Sequence, residues 1–65
     1  MEGINNMPRY MKEYANSKIT YLCRTYAENT EFPITEKIAE VVRAQEVYRR
    51  GLITIDEAMR LIAEA

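Results

Sequence analysis

Residues 48–57 of this chain read Tyr-Arg-Arg-Gly-Leu-Ile-Thr-Ile-Asp-Glu, and they carry the stop signals of one helix and the start signals of the next. Gly51 is the residue type that most readily adopts the left-handed conformation in which many helices end. Arg50 precedes it, where the negative end of a helix dipole favours a cation. Leu52 and Val47 then occupy the two positions that make the hydrophobic contact of a Schellman ending. The stretch therefore predicts that one helix stops at a tight corner.

A second helix is predicted to begin within the same stretch. The Thr54 hydroxyl can accept from the backbone N–H of Glu57, and the Glu57 carboxylate can accept from the N–H of Thr54, which makes a capping box. Asp56 adds an anion at the positive helix end. Ile53 and Ala58 hold the positions of a hydrophobic staple. We therefore predict a helix–corner–helix built on Gly51, Leu52, Thr54 and Glu57.

The composition limits the function more than it defines it. The chain has 65 residues, no His and one cysteine, Cys23, so we expect a single domain over residues 1–65 with neither an intrachain disulfide nor a metal or cofactor site. His is the commonest general base near neutral pH, and the chain has only one Ser and one Asp, so we expect no catalytic residues and no enzyme. A domain this small buries only about 60% of its unfolded surface, so self-association is an expected source of stability.

The charge and hydropathy of the chain indicate which partners and which cellular compartment to expect. The net charge is −1, whereas nucleic-acid binders usually carry a basic patch. No stretch approaches the roughly 18 apolar residues that a membrane span needs. A free thiol without disulfides fits a reducing compartment. We therefore expect a cytoplasmic protein that binds protein rather than membrane or nucleic acid.

The first predicted helix covers residues 8–28 and follows a frayed tail at residues 1–6. Pro8 suits a first helical turn, and Asn5 or Asn6 can cap it. A strand over residues 18–26 is the competing interpretation, and a break near Asn16-Ser17 stays open. The predicted core-facing stripe consists of Met11, Ala15, Ile19, Leu22 and Tyr26, flanked by Met7 and Cys23.

A linker over residues 29–35 leads to a second helix over residues 36–50. Pro33 disfavours helix at the residue before it, Phe32 is expected to fold back on the core, and Thr35 is the expected cap. The apolar stripe of this helix is predicted as Ile38, Val41, Val42, Gln45 and Tyr48. The third helix, residues 55–64, is predicted to bury Ile55, Ala58, Met59 and Ile62, with Leu61 at the edge.

Two features outside the core are candidate protein contacts. Tyr10, Tyr14 and Tyr21 lie within about 40° of one another on a helix and roughly 100° from the centre of the core stripe. Tyrosine is enriched in interfaces because its large ring is buried while its hydroxyl finds a partner; the alternative is that the rings cover the edge of the bundle. Gln45 lies in an apolar stripe, where an amide can set the register of a dimer; the alternative is a rotated helix with Gln45 at the rim.

The corner also invites comparison with a helix-turn-helix DNA reader. Its recognition helix begins with Asp56 and Glu57, whose carboxylates repel phosphates, and Arg60 is its only cation. We therefore predict an all-α domain of three helices, with a long first helix and then a helix–corner–helix, assembled as a homodimer. Its expected function is a small regulator or inhibitor that docks on a larger protein, similar in size to phage-encoded inhibitors and antitoxins. A compact DNA-binding regulator is the alternative.

Overall fold

The computed structural model describes residues 6–65, which form three helices: α1 (Arg9–Glu28), α2 (Ile34–Arg49) and α3 (Ile55–Glu64). No strand occurs among these residues. The all-α prediction and the order of a long helix followed by a helix–corner–helix are confirmed. Helix α1 is continuous, so the strand alternative over residues 18–26 is wrong and no break forms at residues 16–17. The predicted tail lies outside the described residues except for Asn6, and so does the proposed cap Asn5.

Two helix starts differ from the sequence prediction, and each starts at a proline. Pro8, rather than Asn6, is the N-cap residue of α1. Pro33, rather than Thr35, is the N-cap residue of α2, and its carbonyl accepts from the Lys37 N–H at 3.1 Å. The first N–H groups of a helix have no acceptor within the helix, so a proline, which has no N–H, costs nothing there. Its fixed φ is also compatible with that position. Helix α2 therefore begins two residues earlier than predicted, at Ile34.

The corner has the geometry that its sequence predicts. Gly51 has a φ of 78°, in the left-handed region that favours glycine. Its N–H donates to the Tyr48 carbonyl at 2.9 Å, and the Leu52 N–H donates to the Val47 carbonyl at 3.0 Å. These are the two hydrogen bonds of a Schellman ending. The Leu52 side chain is nevertheless 68% exposed, so most of it remains in solvent.

Only one of the two hydrogen bonds of the predicted capping box forms at the start of α3. Thr54 is the N-cap, and its Oγ1 accepts from the Glu57 N–H at 3.1 Å. The Glu57 carboxylate instead accepts from Arg60 one turn later. The reverse bond of the predicted box is therefore replaced by an ion pair within α3. Ala58 is fully buried and Ile53 packs against the core, as the staple predicts.

The core is small and contains an alanine from every helix. Ala15 of α1, Ala44 of α2 and Ala58 of α3 are each no more than 1% exposed. Because the distance between packed helices depends on the side chains at the contact, these small residues allow close approach. Phe32 in the linker packs against the core, as predicted. The remaining fully buried residues are Met11, Leu22, Val41 and Ile62.

Helix α2 is rotated relative to its predicted stripe. Val42, which we expected to be buried, is 51% exposed, whereas Ala44 is buried. Hydropathy alone favours the burial of Val42 over that of Ala44, because valine is the more apolar residue. Helix α2 packs against both α1 and α3, however, and a small residue brings it closer to them. The buried side of α2 therefore centres on Val41 and Ala44.

The C-terminal half of α1 extends beyond α3. With a rise of 1.5 Å per residue, α1 is about 30 Å long and α3 about 15 Å. The Lys18 Nζ donates to the carbonyl oxygen of Ala63 at 2.9 Å, which places the end of α3 beside the middle of α1. Beyond that level, among residues 6–65, only α2 and the linker are available to cover α1. Tyr26 is accordingly 40% exposed and Cys23 is exposed, although both were expected on the core side.

Candidate interaction surface

Tyr10, Tyr14 and Tyr21 form an exposed aromatic row on α1, which we call the tyrosine row. Their exposed fractions are 58%, 39% and 59%. Met11, Ala15 and Leu22, by contrast, face the core from the same helix. The packing of α2 and α3 therefore leaves the row largely uncovered.

Lys18 links the tyrosine row to α3. Its Nζ lies 5.6 Å from the centre of the Tyr21 ring, within the range of a cation–π contact. The same ammonium donates to Ala63. Tyr21 is thus held from one side by a cation that is itself anchored to the end of α3. Sequence reasoning missed this role, since it depends on a contact between residues 45 positions apart.

A shallow depression of about 370 Å³ lies on the outer side of α1, beside the tyrosine row. Ser17 is the smallest side chain around it, and Tyr21 and Arg24 form part of its wall. The sequence carried a signal for these residues, because positions 10, 14, 17 and 21 alternate in steps of four and three. The complete lining is Asn16, Ser17, Thr20, Tyr21 and Arg24.

Gln45 is half-buried on α2. The rotation of α2 moves the buried stripe to Val41 and Ala44, so Gln45 lies at its margin rather than in its middle. In the described part of the chain no hydrogen bond joins Gln45 to the tyrosine row. The structure thus leaves the two predicted contact features on different helices, and the row is the larger apolar surface.

A second groove, of about 270 Å³, runs between α2 and α3. Its apolar lining comes from Ala44, Val47 and Leu61, and charged side chains surround it. Ligand pockets are commonly larger, at about 300–1,000 Å³. The rim residues are Glu40, Arg43 and Glu64.

The start of α3 is electrostatically unsuited to phosphates. Asp56 and Glu57 lie in its first turn. Arg60 donates to Glu57 on one side and to Glu64 on the other, so two carboxylates surround the only cation of the helix. Contacts to phosphate need cations that are available to replace counterions. The first turn of α3 therefore presents negative charge where the recognition helix of a DNA reader would present positive charge.

The described residues contain no group of three or more His, Cys, Asp or Glu side chains placed to hold a metal ion. Among the helices of residues 6–65, none combines the length and hydropathy that a bilayer crossing needs. Taken together, the fold and surfaces define a small three-helix domain with an exposed aromatic face. Comparison with protein-family models, with curated proteins and with solved structures finds no match to this chain.

Proposed function

We propose that this protein is a small, non-enzymatic regulator or inhibitor that works in the cytoplasm by binding protein, with the tyrosine row as its contact surface. The observation that carries the proposal is the exposure of Tyr10, Tyr14 and Tyr21 on one side of α1, at 58%, 39% and 59%. Aromatic rings gathered on one exposed face are typical of interaction sites. Tyrosine supplies large contact area with little loss of conformational freedom.

The electrostatics favour a protein partner over DNA. The acidic first turn of α3 and the pairing of Arg60 with Glu57 and Glu64 remove the positive charge that a recognition helix needs. The net charge of −1 adds no general attraction to phosphates. The tyrosine row, in contrast, requires no charge to bind a complementary apolar surface.

Capture experiments with the tagged full chain test the proposal. Wild type, Tyr14→Glu and Lys12→Glu are used as baits in extracts of the source cell. Lys12 is exposed on α1 and lies roughly 160° from Tyr14, so its variant controls for the added negative charge. We expect a larger protein that binds wild type and Lys12→Glu but not Tyr14→Glu. Equal capture by all three baits would overturn the assignment of the row as the contact surface.

Measuring the binding of the chain to generic duplex DNA distinguishes a protein-binding regulator from the alternative, a DNA-binding regulator. A phosphate binder loses affinity steeply as salt rises. We expect no salt-dependent DNA binding by the wild-type chain. A steep salt dependence would favour a DNA-binding regulator instead.

A further inference from the structure

We propose that the tyrosine row pairs with the same row of a second copy, with the two α1 helices antiparallel and the Tyr21 ring of each copy in the Ser17 depression of the other. This inference rests on the proposed function, in which the row is a protein-binding surface: the second copy covers the row while the larger protein is absent, and the larger protein displaces that copy when it binds. Three observations carry it: the spacing of the exposed residues, the shape of the face, and the positions of its charges.

The exposed residues lie along one stripe of α1. Positions 10, 14, 17, 21, 24 and 28 advance in steps of four and three, which keeps them within about 80° of one another around the helix. This stripe, which we call the seam, lies on the outer side of α1, apart from the side that packs on α2 and α3. Its members are all exposed in the single chain: Tyr10, Tyr14, Ser17, Tyr21, Arg24 and Glu28.

The face carries both a projection and a complementary hollow. Tyr21 is 59% exposed and therefore projects from the helix. Ser17, one turn earlier, lies in the depression of about 370 Å³. In a two-fold dimer each contact occurs twice, so a residue that fits a hollow on its own face can fill it on the partner. Antiparallel pairing of Ser17 with Tyr21 places one such contact on either side of the axis.

This register overlaps nearly the whole of α1 and brings opposite chemistry together. It places Tyr14 against Arg24 of the second copy, where a guanidinium can stack on the ring. It places Tyr10 against Glu28 of the second copy, where the phenol can donate to the carboxylate. In the described chain neither Arg24 nor Glu28 forms an ion pair. A parallel pair would instead bring Arg24 against Arg24 and Glu28 against Glu28, which is repulsive.

The third helix also fits this register. The contact between Lys18 and Ala63 places the end of α3 near the centre of α1. In an antiparallel pair centred close to residue 19, the α3 helix of one copy lies beside one half of the seam and that of the other copy beside the other half. The two short helices therefore do not compete for the same space.

Disulfide trapping tests the register. Two chains, Ser17→Cys and Tyr21→Cys, are each prepared with Cys23→Ser, distinguished by mass, mixed in equal amounts and mildly oxidised. We expect the mixed 17–21 disulfide to be the predominant cross-linked product. In the matched control Thr20→Cys replaces Tyr21→Cys, and its side chain points about 100° away, so the mixed product is lost. Predominance of the 17–17 and 21–21 products would overturn the antiparallel arrangement.

A second measurement does not depend on cross-linking. Ser17→Tyr fills the hollow, whereas Lys12→Tyr adds the same ring on the opposite side of α1, outside the lining of the hollow. By light scattering we expect wild type and Lys12→Tyr to be dimers and Ser17→Tyr to be a monomer that stays helical by circular dichroism. A dimeric Ser17→Tyr chain, or a monomeric wild type, would overturn self-pairing. A monomeric wild type whose capture of a larger protein still depends on Tyr14 would leave the proposed function standing.

Discussion

The Lys18 ammonium donates a hydrogen bond to the carbonyl oxygen of Ala63 across a distance of 2.9 Å, and this bond joins the middle of α1 to the last turn of α3. The last carbonyls of a helix have no partner within the helix, and the negative end of its dipole favours a cation. Lys18 therefore satisfies the end of α3 from another helix. No basic residue lies in the last turn of α3 itself.

Replacing Lys18 by Met keeps an apolar stem of similar shape and removes the donor. We expect Lys18→Met to lower the free energy of unfolding by about 0.3–1 kcal/mol, the range for a cation at a helix C-terminus. Urea denaturation measures the loss. Lys12→Met is the control, since Lys12 is exposed on the same helix, and an equal loss in both variants would show that the contact with Ala63 adds no stability.

The corner gives a test of backbone conformation. Gly51 has a φ of 78°, so Gly51→Val should cost about 1–2 kcal/mol through the clash between Cβ and the backbone. Gly51→Asn should cost less, because asparagine tolerates the left-handed region. Thermal melts compare the two variants. Equal melting temperatures for wild type and Gly51→Val would contradict the observed corner.

The half-formed capping box changes the expected coupling between its residues. Thr54→Ala should cost about 1 kcal/mol through loss of the cap, and Thr54→Ser should cost little. Glu57 pairs with Arg60 instead of the Thr54 N–H, so the losses from Thr54→Ala and Glu57→Ala should add within about 0.5 kcal/mol. A double-mutant cycle in urea measures this, and a large coupling energy would indicate a reciprocal box.

The rotation of α2 predicts opposite outcomes for two neighbouring positions. Ala44 is 1% exposed and Val42 is 51% exposed. Ala44→Glu should unfold the domain, because an unpaired buried carboxylate costs several kcal/mol and a small domain has little stability to lose. Val42→Glu should leave the circular dichroism spectrum helical. If Val42→Glu unfolded the domain and Ala44→Glu did not, the buried side of α2 would be the one that hydropathy predicts, with Val42 in the core.

The tyrosine row gives the prediction closest to function. Tyr10→Glu places a carboxylate against Glu28 of the second copy in the proposed register, and this repulsion should give a monomer by light scattering where wild type is a dimer at micromolar concentration. The exposure of Tyr10, 58%, lets the variant fold, and circular dichroism should remain helical. Lys12→Glu should stay dimeric. A wild-type monomer with an unchanged melting temperature in Tyr10→Glu would mean that the row only covers the edge of the bundle.

Short-range signals in the sequence specify the three helices and the corner. Gly51, Thr54 and the two prolines act through their own backbone geometry and their nearest neighbours, so the three helices and the corner follow from residues a few positions apart. The apolar side of α3 also follows, because its periodicity is strong and Ala58 and Ile62 are both buried. The row of Tyr10, Tyr14 and Tyr21 could be placed outside the core by helical spacing alone.

The tertiary structure alone decided how these helices meet. It buried Ala44 and exposed Val42, because close approach of α2 to two neighbours depends on a small side chain and not on hydropathy. It left Tyr26 and Cys23 uncovered, because α3 is half the length of α1 and ends beside Lys18. It paired the Glu57 carboxylate with Arg60 instead of with the N–H of the cap residue Thr54. Each outcome depends on what stands opposite a side chain in space, and the spacing of residues along a single helix does not contain that information.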